Sequence, residues 1–268
     1  MIKDITLGQY FPGKSAVHRL DPRTKLLGMI AYIVIVFIIK NTAAFLLPAI
    51  FALVSICIAR VPLSYVVRSL KPVRLLLVFM FIINLFMVRT GKSVISFWII
   101  DITDEGIRQS VYITLRLILL LVGTSLMTLT TTPIALTDGL ERLLMPLSRI
   151  RFPAHELAMM MTIALRFIPT LIEEADKIMK AQLARGADFE SGNIVRRAKN
   201  MVPVLVPLFV SAFRRADELA MAMESRCYHG GEGRTRLNVL KFKKGDAVAL
   251  LAFMLLTAAV IAAGRLLP

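Results

Sequence analysis

Two arginines, Arg185 and Arg226, are the residues of this sequence whose type and placement point most clearly to a chemical role. Each ends a mixed-charge stretch and lies between small residues, in Ala184-Arg185-Gly186 and in Ser225-Arg226-Cys227. A guanidinium presents a planar fork of hydrogen-bond donors that suits a carboxylate or a set of carbonyl oxygens. Small neighbours allow such a helix end to enter a narrow groove. The chemistry that these residues predict is therefore recognition of a protein partner.

The two arginine motifs belong to a longer internal repeat. A shift of 41 positions superposes four residues of the first copy on identical residues of the second: Ala175, Asp176, Ala181 and Arg185 on Ala216, Asp217, Ala222 and Arg226. A lone arginine at a helix end is ordinary, because it favours the negative end of the helix dipole. Two arginines in matching contexts predict two contact points for a partner that is itself twofold.

No catalytic or metal-binding arrangement is evident in the sequence. The three histidines have no partner at metal-ligand spacing. The carboxylates of Glu173-Glu174-Ala175-Asp176 are followed by Lys177 and Lys180 at helical ion-pair spacing, which predicts a solvated helix face. The glycines of Gly230–Gly233 are not followed by the Lys-Ser/Thr pair of a phosphate-binding loop. We therefore expect no enzymatic activity, no cofactor and no ATP hydrolysis by this chain itself.

The segments that would position the arginines are strongly apolar. The chain is 57% hydrophobic and only 19% charged, which exceeds the apolar content of a soluble domain. At a rise of about 1.5 Å per residue, its longer apolar stretches reach roughly 25–30 Å, enough to cross a bilayer core. We predict an all-α polytopic membrane protein with about five transmembrane helices and long cytoplasmic or interfacial helices. The predicted spans are Leu26–Ile39, Ala43–Ala59, Val73–Val88, Val111–Thr130 and Ala247–Ala263.

The net charge of +15 is distributed as a membrane topology signal. Lysine and arginine concentrate in Lys3–Lys25, Arg60–Arg74 and Arg142–Lys244, whereas the loop between Arg89 and Arg108 is poor in them. The positive-inside rule then places the N-terminus and Pro133–Asp246 in the cytoplasm. We expect the basic surface to meet anionic lipid of the bilayer rather than nucleic acid, since no basic-aromatic nucleic-acid motif is present.

This topology predicts three regions. Residues 1–132 hold transmembrane helices 1–4, residues 133–246 form cytoplasmic helices, and residues 247–268 form the last transmembrane helix. The middle region is predicted to be two long helices, the first from Pro153 to Arg185 and the second from Ile194 to Arg226. An alternative makes Leu157–Ile172 a sixth span, although Arg166 and Pro169 would then have to be buried.

Polar residues inside the predicted spans are few. Arg116 and Arg74 are near span ends, where a long side chain reaches the interface by snorkelling. Asn84 is expected to form a hydrogen bond between helices. A channel or secondary transporter would bring more polar residues together at the bilayer midplane. The spans therefore favour a scaffold, with a self-sufficient secondary transporter or channel as the alternative.

With these motifs, the chain resembles the transmembrane T component of energy-coupling factor (ECF) transporters over essentially its whole length. The segment Ser15–Lys25, with its Asp21-Pro22-Arg23 core, resembles the opening segment of that family. Ala184-Arg185-Gly186 matches the family's Ala-Arg-Gly signature in full. Ser225-Arg226-Cys227 matches the second signature only at its arginine, and Cys227 lacks the backbone freedom of a glycine.

This resemblance implies a mechanism. Two ABC-type ATPase subunits would dock on the long coupling helices, one at Ala184, Arg185 and Gly186 and the other at Ser225, Arg226 and Cys227. A separate S component would carry a vitamin or a metal ion and would be moved by ATP-driven motion of these helices. The resemblance also implies a multi-pass protein of a bacterial or archaeal plasma membrane with a cytoplasmic N-terminus.

Overall fold

The computed structural model describes residues 10–39, 41–88, 90–97, 100–150, 152–189, 191–230 and 240–266. The α-helices are α1 (Pro22–Ile38), α2 (Leu46–Ala59), α3 (Leu63–Leu70), α4 (Arg74–Met87), α5 (Asp104–Thr130), α6 (Pro133–Leu144), α7 (Ala154–Ala184), α8 (Ile194–Glu224) and α9 (Lys244–Leu266). Short 3₁₀ turns cover Ala43–Phe45, Lys71–Val73 and Met145–Ile150. Two strands, β1 (Ser93–Phe97) and β2 (Ile100–Thr103), pair as an antiparallel hairpin.

The prediction of an all-α polytopic membrane protein is confirmed, with the β1–β2 hairpin as a small unpredicted addition. Among the described residues, four helical stretches are long and apolar enough to cross a membrane: Leu63–Met87, Asp104–Thr130, Ala154–Ala184 and Lys244–Gly264. The helix over Ala43–Ala59 is apolar but shorter. Because Ala154–Ala184 qualifies by length and composition, the alternative of a span over residues 157–172 stays open.

The chain divides into two compact units. Among the described residues, those up to Leu143 together with those from Leu240 onward form one, here called the bundle unit, which contains α1 to α6 and α9. The described residues from Leu144 to Gly230 form the other, here called the helix-pair unit, which contains α7 and α8. Helix α6 thus groups with the bundle. The predicted division into residues 1–132, 133–246 and 247–268 concerns sides of the membrane and stays a prediction.

The core of the bundle unit forms where α1 is packed against α5 and α9. Ile35 and Val36 of α1 are almost fully buried and belong to one apolar cluster with Leu119 of α5 and Val260 of α9. Glycines allow these helices to approach closely. A Cβ at Gly123 of α5 would lie 2.5 Å from the Tyr32 ring, so a larger residue there would push α5 away from α1.

Buried polar groups join the beginning of α1 to the beginning of α9. The Asp246 carboxylate has no exposed surface and accepts the backbone N–H of Asp21 and that of Lys243, each at 2.7 Å. Asp21 in turn caps α1 through the N–H of Arg23 at 2.9 Å. The guanidinium of Arg23 donates to the Leu240 carbonyl at 3.1 Å. The Asp21-Pro22-Arg23 core of the opening segment therefore anchors the last helix.

Lys25 immediately precedes the first predicted span, a position from which a lysine is expected to snorkel to water, but its side chain turns inward. Its ammonium donates inward to the Thr130 carbonyl at 2.8 Å and to the His18 carbonyl at 3.3 Å. Burial lowers the pKa of Lys25 to about 8, and the nearby Asp246 carboxylate opposes that shift. The lysine joins the N-terminal segment to the end of α5 because carbonyls left over at that helix end need donors.

Arg116 and Asn84 have structural partners. Arg116 donates to the Ile39 carbonyl at 2.9 Å and lies over the Tyr112 ring, with 4.6 Å between the guanidinium carbon and the ring centroid. This contact satisfies a terminal carbonyl of α1. The prediction for Asn84 is wrong, because its amide donates to the Met80 carbonyl of its own helix at 2.8 Å.

Candidate partner-docking site

Helices α7 and α8 of the helix-pair unit pack side by side in opposite directions. Near the middle of α7, the Glu174 carboxylate accepts from Ser211 and from Arg215 of α8, the latter at 2.7 Å. Eight residues later on α7, Gln182 contacts Pro203 of α8 at 3.3 Å. Because the partner number falls as the α7 number rises, the two helices are antiparallel. The end of α7 therefore lies beside the beginning of α8.

The Gln182 contact compensates for a proline inside α8. Pro207 has no backbone N–H and cannot donate to the carbonyl of Pro203, four residues earlier. The side-chain amide of Gln182 donates to that carbonyl instead. The prolines of α8 are thus tolerated because the neighbouring helix supplies a donor, and the same hydrogen bond ties the two helices together.

The first arginine motif forms a hydrogen-bonded helix end. Helix α7 stops at Ala184, and Gly186 takes the left-handed conformation with φ of +85°. The N–H of Gly186 donates to the Leu183 carbonyl at 3.0 Å, and that of Ala187 donates to the Gln182 carbonyl at 3.0 Å. This pair of bonds is the Schellman arrangement, which turns the chain away and leaves the arginine at the tip.

The second motif forms the same helix end although it lacks the glycine. The N–H of Cys227 donates to the Glu224 carbonyl at 2.8 Å, and that of Tyr228 donates to the Met223 carbonyl at 3.1 Å. Cys227 takes φ of +55°, the conformation that Gly186 takes in the first copy. Replacement of the expected glycine by cysteine therefore leaves the turn after Arg226 intact.

Both motifs present their residues to the surroundings. Ala184, Arg185, Gly186, Ser225, Arg226 and Cys227 are all exposed. Neither arginine guanidinium forms a hydrogen bond or ion pair with any residue that the structure describes. Since α7 and α8 are antiparallel, the two arginines lie at opposite ends of the pair, on the order of 30–40 Å apart at 1.5 Å per residue. The structure thus exposes every predicted site residue and divides them between two separate tips.

Exposed apolar side chains accompany each arginine, and these side chains were not predicted from the sequence. At the Arg185 end, Ile194 and Val195 are 85% and 81% exposed. At the Arg226 end, Met221 is 62% exposed. Large apolar groups next to an exposed arginine are typical of protein interfaces. The signal in the sequence was the apolar pair immediately after Asn193, where a helix would begin.

The carboxylate cluster of α7 is not simply a solvated face. Asp176 does form the predicted pair with Lys180, at 2.7 Å. Glu174 instead reaches across to α8, where it forms a 2.7 Å ion pair with Arg215. Among the described residues, no group of three His, Cys, Asp or Glu side chains could hold a metal ion. The chemistry available here is charge-assisted recognition.

The different residues at the two turns predict opposite responses to small substitutions. A Cβ at Gly186 would meet open space, so Gly186→Ala should suffer only from the positive φ, at about 1 kcal/mol. Cys227→Gly removes the same strain and should leave the second turn equally or more firmly formed. Amide hydrogen exchange should become faster at residues 186–187 in Gly186→Ala and should not become faster at residues 227–228 in Cys227→Gly. Faster exchange in both variants would contradict this account.

Known proteins are similar in sequence to this chain over nearly its whole length. Residues 13–237 match the family model described as cobalt transport protein, CbiQ. An "Energy-coupling factor transporter transmembrane protein EcfT" of Thermosediminibacter oceani is 56% identical over 255 residues, 95% of this chain and 96% of the relative. Proteins with that name in Clostridium kluyveri and Bacillus subtilis are 53% and 46% identical, and the alignments cover 96% of this chain and 95% and 97% of those relatives.

Proposed function

We propose, from the premise that this chain belongs to the family of energy-coupling factor transporter transmembrane proteins, that it couples two ATPase subunits to a substrate-binding S component. The chain is a multi-pass transmembrane component of such a transporter. The helix pair receives motion from the ATPases and passes it to the S component. The S component carries a vitamin or a metal ion. Hydrolysis of ATP takes place in the partner subunits.

The observation that carries this proposal is the equivalence of the two arginine tips. Both tips have the same backbone hydrogen bonds, and both leave an arginine exposed without a partner among the described residues. Two equal contacts at opposite ends of one rigid pair suit a partner with two similar halves. An ATPase dimer that closes on ATP has that symmetry and would move both tips at once.

Charge supports the location of these tips. The region that contains both motifs is rich in lysine and arginine, and the positive-inside rule puts such regions in the cytoplasm. The N-terminus and the helix pair would then face the compartment that supplies ATP. A guanidinium in a groove of the ATPase would find carboxylates or carbonyl oxygens there.

Co-purification from the native membrane tests the proposal. We expect ATPase subunits to co-purify with the wild-type chain. The single variants Arg185→Glu and Arg226→Glu should each recover less ATPase, and the double variant should recover none. Lys177→Glu is the matched control, because Lys177 is exposed on the same helix pair but lies away from both tips. Absence of ATPase subunits from the wild-type sample would contradict the proposal, and purified chain would then be assayed for transport by itself.

A further inference from the structure

We infer that the Glu174–Arg215 ion pair is a positioning staple on a local twofold axis of the helix pair, which sets the relative placement of Arg185 and Arg226. The inference rests on the proposed function, since it concerns how the two docking tips are kept in register. It goes beyond that function because it assigns a role to residues that touch neither an ATPase tip nor a substrate.

The staple connects equivalent positions of the internal repeat. The shift that superposes Arg185 on Arg226 is 41 residues, and Glu174 and Arg215 are also 41 residues apart. When equivalent positions of two antiparallel helices touch, a twofold axis passes between them. The Glu174–Arg215 contact therefore lies on the local twofold axis that relates the two copies of the sequence repeat.

The Glu174–Arg215 contact is equally far from the two helix ends that carry the arginines. Arg185 lies 11 residues after Glu174, and Arg226 lies 11 residues after Arg215. Each tip is thus roughly 16 Å from the staple at the rise of a helix. The two arginines are related by the same local axis, which is the arrangement that a twofold ATPase pair would need.

The repeat differs in charge where the two copies meet. Identical charged residues facing each other across a twofold axis would repel. Instead, Glu173-Glu174 of the first copy aligns with Arg214-Arg215 of the second, while the Ala-Asp that follows is the same in both. Opposite charges at otherwise matching positions turn a repulsive self-contact into an attractive one.

The geometry of the contact is well defined. One carboxylate oxygen of Glu174 accepts from the Ser211 hydroxyl, and the other accepts from the Arg215 guanidinium at 2.7 Å. The two charged side chains are only 23% and 36% exposed, so water screens their attraction less than at an open surface. Using both carboxylate oxygens fixes the rotation of Glu174 and, with it, the register of α7 on α8.

Loss of the staple should therefore uncouple the tips without removing them. Each arginine could still enter its groove, but motion at one end of the pair would no longer define the position of the other. The expected consequence is ATP hydrolysis with less transport, rather than loss of the complex.

The experiment uses the full transporter in proteoliposomes and measures substrate transported per ATP hydrolysed. Glu174→Gln and Arg215→Gln should each lower this ratio about 5- to 10-fold with ATPase subunits still co-purifying. Exchanging the charges in one chain, Glu174→Arg with Arg215→Glu, should restore the ratio to within about twofold of wild type. The control is Lys180→Gln, which breaks a 2.7 Å ion pair within α7 and should not change the ratio.

A distance measurement tests the geometry without any partner. Spin labels at Leu183→Cys and Glu224→Cys, again 41 positions apart, would be placed in the isolated chain with Cys57→Ser and Cys227→Gly. We expect one narrow distribution of distances between the two labels, centred at about 30 Å from the helix rise. Glu174→Gln should broaden or shift it, and the exchanged pair should narrow it again.

The outcomes separate the staple from the proposed function. Unchanged coupling and an unchanged distance distribution in Glu174→Gln would overturn the staple. Absence of ATPase subunits from the wild-type complex would instead contradict the proposed function, while the distance measurement would still test the staple. Failure of the exchanged pair to restore either quantity would assign these residues to other contacts and would also overturn the inference.

Discussion

Reversal of both arginines, Arg185→Glu with Arg226→Glu, is expected to reduce ATP-driven uptake by the assembled transporter below detection. Each tip would present a carboxylate to a groove that receives a guanidinium. Truncation of one member of a buried interfacial charge pair costs about 2–5 kcal/mol, and reversal adds repulsion between like charges. At two independent sites, even the lower figure reduces occupancy of the doubly docked state by roughly a thousandfold. Uptake of labelled substrate into proteoliposomes measures the effect.

The single variants and a control define what the double variant means. Arg185→Glu and Arg226→Glu should each give intermediate uptake, because one docked tip still anchors an ATPase. Lys177→Glu changes the net charge equally and should retain uptake. Membrane insertion of every variant is checked by detergent extraction and gel filtration. Uptake at the wild-type rate in an inserted double variant would show that the arginines are not the docking contacts.

The second large expected effect is a loss of stability when Asp246→Ala removes the buried carboxylate. The substitution deprives the buried N–H of Asp21 and the partly buried N–H of Lys243 of their acceptor. Leaving one buried and one partly buried donor unsatisfied should lower the free energy of unfolding by about 2–4 kcal/mol. The measurement is unfolding by sodium dodecyl sulfate in mixed micelles, followed by circular dichroism.

A conservative variant and the pH make the Asp246 prediction specific. Asp246→Asn keeps one carbonyl acceptor and should lose less stability than Asp246→Ala. Either variant removes the charge that raises the pKa of Lys25, so that pKa should fall further below its present value of about 8. The unfolded chain then binds more protons than the folded one between that lowered pKa and the ordinary lysine value, and stability rises with pH across that window. Wild type gains stability in the same way above about pH 8, so the deficit of Asp246→Asn should narrow between the lowered pKa of Lys25 in the variant and about pH 8, and it should stay constant above that pH. A deficit independent of pH would show that Lys25 and Asp246 are not coupled.

Much of the architecture could be predicted because it depends on local composition. An apolar stretch long enough for the bilayer must become a helix whatever its neighbours are, since no other element satisfies its backbone in lipid. The ends of α7 and α8 were equally predictable, because small residues and an arginine after a mixed-charge stretch are helix-stop signals. The exposure of Arg185 and Arg226 followed from the same signals.

The predicted partners of individual polar side chains were wrong for one reason, which is that each side chain has several possible partners within its reach. The Lys25 ammonium could have turned to water, but it donates instead to the free Thr130 carbonyl at the end of α5. Asn84 could have bonded across helices, but its own helix offers a carbonyl four residues earlier. Glu174 could have paired along α7, as Asp176 does with Lys180. Its actual partner, Arg215, becomes a neighbour only when α8 folds back on α7.

The sequence by itself determined the class of the protein, its apolar helices, and the repeat with two arginines. Those properties reside in composition and spacing along one chain. Only the tertiary structure decided that the two copies run antiparallel, that Glu174 meets Arg215 at their centre, and that Cys227 adopts the conformation of a glycine. The physical reason is that contacts between residues 41 positions apart depend on how two helices pack together, and helical periodicity within either one carries no information about that packing.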